Sequence, residues 1–178
     1  MKLTTKYETY LPKIMNNKIY FSKVKPDAII PSKREEDGAF DIYACFDEDY
    51  ILLDPHETKL VGTGIASAFS NDYVAILKER GSTGTKGIGQ RCGVIDSGYR
   101  GQWFVPLTNH NDKPLVIIKE KAAKLFTAES TIVYPYEKAI AQCLMVVVPK
   151  LAIEEISHEE LLKFESERGA GALGSSGK

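Results

Sequence analysis

The stretch Gly93-Val94-Ile95-Asp96-Ser97-Gly98-Tyr99-Arg100-Gly101 is a short apolar strand that ends in an acid, a tight turn and an aromatic ring. An acid at the end of a strand can orient a water molecule, and Asp96 stands where that chemistry would need it. Such an acid can also start a turn by accepting hydrogen bonds from the local backbone, which is common. Taken alone, the stretch leaves both roles open.

A glycine-rich polar turn, residues 80–87 (Arg-Gly-Ser-Thr-Gly-Thr-Lys-Gly), precedes this stretch and follows the apolar run Tyr73–Leu77. Glycines let backbone N–H groups converge on an oxyanion, a hydroxyl adds a donor, and a guanidinium offers a fork for two phosphate oxygens. The spacing is not that of a P-loop. The turn therefore indicates a phosphate cradle of another kind, or a simple solvated turn.

An acid also interrupts the apolar run Gly38–Ala44. A carboxylate within such a strand costs free energy unless it is paired, so Asp41 is expected to have a partner. The remaining apolar runs are short, rich in β-branched and aromatic residues, and separated by Gly, Pro, Asn and Asp, which favours an all-β sandwich or barrel. The runs are Ile19–Val24, Phe40–Phe46, Lys59–Phe69, Tyr73–Leu77, Trp103–Thr108, Leu115–Ile118 and Ile140–Val148.

Helix is expected to be minor. A turn or two is predicted near Lys121–Thr127, and a second short helix is predicted in Ser157–Phe164, where Ser157 would cap the start and Glu159 and Glu160 would follow. No segment carries apolar residues at helical spacing over three turns.

Composition excludes several classes of protein. The chain has 178 residues, 43% apolar and 26% charged, with a net charge of -1, which is typical of an ordinary soluble domain and not of a disordered chain. This balance offers no general field for nucleic acid or a membrane surface. The N-terminus shows no secretory pattern, so a cytoplasmic location is expected. Cys45, Cys92 and Cys143 are predicted to be reduced core thiols.

The order of the motifs resembles that of the trimeric dUTPases. Five segments match the motifs of that family in sequence: 38–44, 80–88, 93–101, 140–142 and 168–177. The resemblance implies a dUTPase-like β-barrel or jelly roll (β-clip) that assembles as a homotrimer with shared active sites. It also implies hydrolysis of dUTP to dUMP and pyrophosphate by water attack on the α-phosphorus, which lowers dUTP and supplies dUMP for thymidylate synthesis.

The resemblance also implies roles for individual residues. Asp96 would bind the deoxyribose 3′-hydroxyl and orient the water, and Tyr99 would lie under the deoxyribose. Asp41 would meet a Mg²⁺ through water, with the ion bound chiefly by substrate phosphates and water. A β-hairpin from about Gly87 to Val94 would present backbone groups to uracil. The substrate-binding residues implied in this way are Arg80, Gly81, Ser82, Gln90, Gly93, Val94, Ile95, Tyr99, Phe104, Gln142, Arg168, Leu173, Gly174 and Ser175.

The implied organisation has three parts: an N-terminal extension (1–18), a β domain (19–167) and a C-terminal arm (168–178) that closes over a site. Asn109–Glu137 is longer than a compact family member needs, and this insertion segment is predicted to bind a protein partner. The second motif also departs from the family, since Glu79-Arg80-Gly81-Ser82 replaces the usual Pro-Arg-Ser-Gly, and Leu173 replaces an aromatic.

Two other functions are weighed against hydrolysis. A dCTP deaminase has a similar fold, but it needs a glutamate where this chain has Pro106, so deamination is disfavoured. A regulatory protein could use the nucleotide site or the insertion segment to engage a partner. Retention of Asp96, Tyr99 and the arm that begins at Arg168 favours catalysis.

Overall fold

The short apolar runs form β-strands, and the predicted all-β class with minor helix is confirmed. The structure is a computed structural model, and it describes residues 18–91 and 93–170. The strands in these residues are β1 (Ile19–Lys23), β2 (Phe40–Ile42), β3 (Tyr50–Leu53), β4 (Thr58–Gly62), β5 (Ile65–Phe69), β6 (Tyr73–Lys78), β7 (Ile88–Gln90), β8 (Val94–Ile95), β9 (Phe104–Asn109), β10 (Leu115–Ile118), β11 (Ile132–Pro135) and β12 (Ala141–Val147).

Helix is confined to short segments in the described residues. They are α1 (Gly81–Gly84), a 3₁₀ helix (Glu120–Leu125) and α2 (His158–Leu161). Both predicted helices are confirmed in position. Ser157 caps α2 as expected, because its Oγ accepts the N–H of Glu160 at 3.1 Å while the Glu160 carboxylate accepts the N–H of Ser157 at 3.0 Å.

The strands form four sheets, with the orders β1-β5, β11-β10-β3, β2-β12-β6-β8 and β4-β9-β7. The four-stranded sheet organises the site. Its strand β12 lies between β2 and β6, so Gln142 stands opposite Asp41 on one side and opposite Lys78 on the other. Four of the five predicted motifs are therefore joined by one sheet, since β8 carries the third motif and α1, in the second motif, follows β6.

The predicted strand Lys59–Phe69 is divided into β4 and β5, which belong to different sheets. The break lies at Gly64, whose φ is +67°, a conformation that L side chains rarely adopt. A Cβ there would also lie 2.8 Å from the Cβ of Ala28 and 2.8 Å from the Sγ of Cys45. The chain turns at this point because glycine is the residue that fits.

The core takes large side chains from several sheets and from the segment before β9, among them Phe69, Trp103 and Tyr134, all nearly inaccessible to solvent. Cys45 and Cys143 are buried and unpaired, as predicted, and burial raises the pKa of the Cys143 thiol to about 12. Cys92 lies outside the described residues. These thiols contribute to packing, and the Cys143 thiol stays protonated at neutral pH.

The insertion segment supplies part of this core. Strand β10 is buried along its whole length and pairs with β3 on one side and with β11 on the other. Tyr134 of β11 is 1% exposed. The binding of a protein partner by this segment stays a prediction.

The described residues divide into two compact units, with the boundary between Val148 and Pro149. The first contains β1 to β12, and the second contains α2. Residues 1–17 and 171–178 lie outside the described residues, so most of the predicted extension and arm is not described. No helix in the described ranges is long and apolar enough to cross a membrane.

Candidate active site

A cavity of about 880 Å³ opens at one end of the four-stranded sheet. It collects five of the predicted site residues, from three separate motifs. Its lining residues are Ser32, Lys33, Arg34, Asp37, Gly38, Ala39, Asp41, Arg80, Gly81, Ser82, Gln142 and Leu144. The fold thus places the predicted phosphate turn beside the acid of the first motif and the glutamine of the fourth.

Asp41 has the partner that the sequence required. Its Oδ1 lies 2.8 Å from Nε of Arg80, and its Oδ2 accepts a hydrogen bond from Nη2 at 3.3 Å. This is the two-pronged geometry that makes arginine–carboxylate pairs strong. The pair fixes the guanidinium at the cavity wall and leaves the N–H groups of Nη1 for other acceptors.

The turn after β6 is held by a buried threonine. The N–H of Arg80 donates to Oγ1 of Thr83 at 3.0 Å, and this hydroxyl donates to the Arg80 carbonyl at 2.9 Å. Thr83 is 1% exposed. A Cβ added at Gly81 would meet nothing within 4 Å, so the N-terminal side of the turn is open. Thr83 therefore supports the turn while Gly81 and Ser82 face open space.

Tyr134 supports the same arginine from beneath. Its hydroxyl donates to the Ala139 carbonyl at 2.6 Å, and Nη1 of Arg80 contacts this carbonyl at 3.4 Å and Ser82 Oγ at 3.2 Å. Burial is the main cause that raises the pKa of Tyr134, which keeps its hydroxyl a donor. Sequence reasoning missed this residue because its strand lies more than fifty positions from Arg80 in the chain.

Glu79 links three predicted site segments. Its carbonyl accepts from Nε2 of Gln142 at 2.7 Å, and its carboxylate accepts the backbone N–H of Gln90 at 3.2 Å. Hydrogen bonds from the backbone N–H groups of Glu79 itself and of Gln90 outweigh partial burial and hold the pKa of this carboxyl below its usual value. The departure from the usual proline at this position thus has a structural role. The signal for it was an acid placed where the family has none.

The predicted base-reading hairpin is not a paired hairpin. Strand β7 pairs with β9, and β8 pairs with β6, so the two arms belong to different sheets, and no ladder joins them in the described residues. The segment between them passes from one sheet to the other through Gly93, with φ +118°. A Cβ there would lie 2.8 Å from the Leu77 carbonyl oxygen. Gly93 allows this close approach, and its own carbonyl accepts the Leu77 N–H at 2.7 Å.

Asp96, Tyr99 and Phe104 are not among the residues that line the cavity. Asp96 follows β8 and is exposed, and its carboxylate makes no hydrogen bond or ion pair within residues 18–91 and 93–170. Its backbone carbonyl accepts the N–H of Tyr99 at 3.0 Å, which closes the turn. The Tyr99 hydroxyl donates to the Gln102 carbonyl at 3.0 Å, while the residue as a whole is 43% exposed.

The register of the sheet gives the separation of the two predicted acids. Strands β2 and β8 are its two edges, three inter-strand spacings apart, or about 14 Å. Extension of the β6–β8 register places Asp96 opposite Val74 of β6, and the β6–β12 and β12–β2 registers place Asp41 level with Lys78 of β6. Val74 and Lys78 are four positions apart, so the two acids are also displaced by about 13 Å along the strand direction. Asp41 and Asp96 of one chain are therefore about 19 Å apart.

The last predicted contacts come from the second compact unit and beyond. Arg168 lies in that unit, where its backbone N–H donates to Oγ of Ser166 at 3.3 Å. Leu173, Gly174 and Ser175 lie outside the described residues. Their roles stay predictions.

Comparison with known proteins agrees with the motif order. The dUTPase family model matches residues 25–126. The deoxyuridine 5′-triphosphate nucleotidohydrolase of Nautilia profundicola is 33% identical over 165 residues, which cover 90% of this chain and 99% of that protein. The enzyme of the same name from Neisseria meningitidis serogroup C is 35% identical over 153 residues, which cover 83% and 87%.

Solved structures show the same fold. A dUTPase variant of Staphylococcus bacteriophage 80alpha, solved with dUpNHpp, matches with a TM-score of 0.71 at 21% identity, over 91% of this chain and 99% of that one. The EIAV dUTPase matches with a TM-score of 0.59 at 18% identity, over 79% and 98%. Because the family model spans more than half of the sequence and the Nautilia relative is matched over nearly its full length, the chain belongs to the dUTPase family.

Proposed function

We propose that this chain is a dUTP diphosphatase, which hydrolyses dUTP to dUMP and pyrophosphate by water attack on the α-phosphorus. The observation that carries the proposal is the cavity in which Arg80, Gly81, Ser82 and Gln142 meet next to Asp41. Open backbone N–H groups, a hydroxyl and a fixed guanidinium suit phosphate oxygens. The reaction lowers dUTP and supplies dUMP for thymidylate synthesis.

Asp96 is the proposed catalytic carboxylate. It would hold the deoxyribose 3′-hydroxyl and orient the attacking water, accepting its proton as charge develops on the phosphate. Its exposure and its lack of a partner in the described residues support this role, because both oxygens can accept from substrate and water. Tyr99, with its ring partly exposed, would lie against the deoxyribose and leave no space for a 2′-hydroxyl.

A homotrimer would bring the two parts of the site together. Asp41 and Asp96 of one chain are about 19 Å apart across the sheet, too far to act on one phosphate group. A neighbouring copy can present its Asp96 and Tyr99 to the cavity of the first, and closed rotational symmetry then repeats the site in each copy. The sheet register supports shared sites, and the number of copies comes from the family resemblance.

Magnesium is proposed as a companion of the substrate. Within the described residues, no group of three or more His, Cys, Asp or Glu could hold a metal ion. The cavity offers Asp41, whose carboxylate fits a contact through water, since Mg²⁺ keeps several waters and binds phosphates readily. When bound, the ion would neutralise part of the polyphosphate charge, while Arg80 and Ser82 bind phosphate oxygens directly.

Base selection is assigned to the segment that crosses between the sheets. Gln90, Gly93, Val94 and Ile95 would offer backbone groups and an amide to uracil. Cytosine carries an amino group in place of O4 and lacks the N3 proton, so buried hydrogen bonds become mismatches, with discrimination of order 10⁴. The N–H of Gln90 and the carbonyl of Gly93 are bound within the chain, so the base would be contacted by backbone groups of this segment that these bonds and the β6–β8 pairing leave over.

A nucleotide panel with pyrophosphate detection tests the function. We expect dUTP to be cleaved far faster than dCTP, dTTP or UTP, with stimulation by Mg²⁺. The panel also measures ammonia, which a deaminase would release from dCTP. Equal rates on dCTP, or ammonia without pyrophosphate, would contradict the proposal.

A further inference from the structure

The loop of residues 32–41 forms one wall of the cavity and carries a second arginine to it. The N–H of Asp41 donates to the Ser32 carbonyl at 3.1 Å, which closes the loop at its base. Since Arg80 holds the Asp41 carboxylate, this base is fixed to the phosphate turn. Arg34 therefore lies on a loop that is anchored beside the first arginine.

The lysine of this loop is committed to holding it in shape. Nζ of Lys33 donates to the Asp37 carbonyl at 2.6 Å and to the carbonyls of Arg34 and Glu35, each at 3.4 Å. It also lies 5.9 Å from the centre of the Phe40 ring. An ammonium that satisfies three carbonyls of its own loop is poorly placed to exchange them for a ligand.

Arg34, in contrast, is held by one exposed carboxylate. Its Nε and Nη2 donate to the two oxygens of Asp37, each at 2.9 Å, and its backbone N–H donates to Oδ2 at 3.2 Å. The Arg34 side chain is 88% exposed and that of Asp37 is 36% exposed. The two-pronged geometry favours this pair, but water screens it because the arginine side chain is almost fully exposed, so it holds less tightly than the same geometry would in a buried setting. A phosphate group accepts the same planar fork.

The balance of charges that line the cavity leaves room for Arg34 to bind a polyphosphate. Lys33, Arg34 and Arg80 face Asp37 and Asp41, and a polyphosphate carries more negative charge than this excess offsets. Arg80 is fixed by Asp41 and Lys33 by the loop carbonyls. Arg34 is the cation that can change partner at small cost. The hydrogen bonds of Asp37 raise the pKa of Arg34, and the charge of Asp41 adds a smaller effect, so both acids act on it.

We propose that Arg34 is a second arginine ligand of the substrate polyphosphate, and that Asp37 is a competing carboxylate which the polyphosphate displaces. The inference rests on the proposed function, which places a polyphosphate in this cavity. It assigns opposite effects to two neighbours: Arg34 strengthens binding, and Asp37 weakens it by occupying the guanidinium in the free protein.

Calorimetric titration of the full chain with inorganic pyrophosphate tests this inference, in the wild type, two single variants and their double variant. Arg34→Gln should weaken pyrophosphate binding about tenfold, since two charge-assisted hydrogen bonds are lost. Asp37→Asn should strengthen binding about threefold, because the guanidinium no longer has an ionised competitor. In the double variant, Asp37→Asn should give a smaller gain than it gives beside an intact Arg34, since only the reduced repulsion of the anion then remains.

Arg34→Lys is the second variant, and it should fall between the wild type and Arg34→Gln, because a charge remains but the fork is lost. Lys25→Gln and Asp47→Asn are matched controls, since they break a comparable pair with an exposed carboxylate, at 2.7 Å, outside the cavity. Neither should change the affinity. Equal affinity of wild type and Arg34→Gln, or weaker binding by Asp37→Asn, overturns the inference.

Turnover of dUTP separates this inference from the proposed function. If the wild-type protein hydrolyses dUTP but its affinity for pyrophosphate is the same with and without Arg34, the inference is refuted and the proposed function stands. Pyrophosphate binding that depends on Arg34, in a protein that does not cleave dUTP, refutes the function and leaves the anion site in place.

Discussion

The cavity wall and the turn after β8 differ in how completely the chain satisfies their polar groups. In the cavity, Asp41 and Arg80 hold each other, and Gln142 donates to the Glu79 carbonyl. In the turn, Asp96 is exposed and its carboxylate has no partner in the described part of the chain. The contrast supports the proposal that phosphate is bound by residues of one chain, whereas the proposed catalytic acid meets a substrate held by another chain.

The largest expected effect comes from Asp96→Asn. The change keeps the shape of the side chain but removes the charge that polarises water, so kcat should fall by about a thousandfold or more with little change in nucleotide affinity. Steady-state kinetics together with a dUTP binding isotherm measure both quantities. Near-normal turnover would show that another group is the catalytic carboxylate.

Mixed trimers test whether the two regions of one site come from different chains. When Asp96→Asn and Arg80→Ala chains are refolded together at equal amounts, each shared site draws both intact residues about one time in four, so about a quarter of the wild-type activity should return. Separately folded samples that are mixed without refolding serve as the control. A site contained in one chain predicts no recovery at all.

Arg80→Lys should weaken the binding and positioning of phosphate in the cavity. Lysine retains the charge but loses the fork on Asp41 and the contact with Ser82, so kcat/KM should fall about a hundredfold. Lys25→Arg, a swap of the same residue types at an exposed pair, should leave kcat/KM unchanged. An Arg80→Lys variant as active as the wild type would mean that the fork does not position the phosphates.

Truncation after Glu167 should lower kcat less than these substitutions do, because it removes neither the cavity wall nor the turn after β8. The predicted arm would exclude water from the reacting phosphate, so its loss should lower kcat at least about tenfold while the folded trimer still binds nucleotide. Light scattering and a binding isotherm provide the controls. An unchanged kcat would identify residues 168–178 as a linker.

The smallest effect is a pH dependence of stability at Glu79, the residue between the two regions. Its folded pKa lies below the ordinary value of 4.5, so its contribution to stability is present above about pH 4.5 and is lost as the pH falls through the folded pKa. The difference in the free energy of unfolding between wild type and Glu79→Gln should therefore shrink on acidification. Denaturant unfolding from about pH 6 down to pH 3 measures it. A constant difference would contradict this role.

Rules based on local sequence predicted most strands and helices, and they failed where the pairing of a strand depends on segments far away in the sequence. The need of Asp41 for a partner was predictable from its apolar strand, and so was the cap at Ser157. The hairpin prediction was wrong because β7 and β8 each found a better neighbour in a different sheet, a choice that depends on β9 and β6. The local pattern of turn residues carries no information about that competition.

The sequence also did not predict the residues that support the phosphate turn and Arg80. Thr83 stands in the polar turn 80–87, where nothing marks it as buried, and Tyr134 stands in an apolar run, where it resembles an ordinary core residue. Their hydroxyls acquire a role only because burial removes water and leaves backbone carbonyls and Arg80 as the partners within reach. Lys33 and Arg34 looked alike in the sequence, and the structure separates them by their acceptors.

The sequence by itself determined the class of fold and the family, and it predicted the residues proposed to contact substrate, because strand periodicity and motif order are properties of the chain alone. The tertiary structure decided which of those residues meet. It brought Asp41, Arg80 and Gln142 to one cavity through the register of β2, β12 and β6, and it placed Asp96 at the opposite edge of the same sheet. Register depends on hydrogen bonds between segments far apart in sequence, so only the folded chain gives the separation of Asp41 and Asp96 on which the proposed shared site rests.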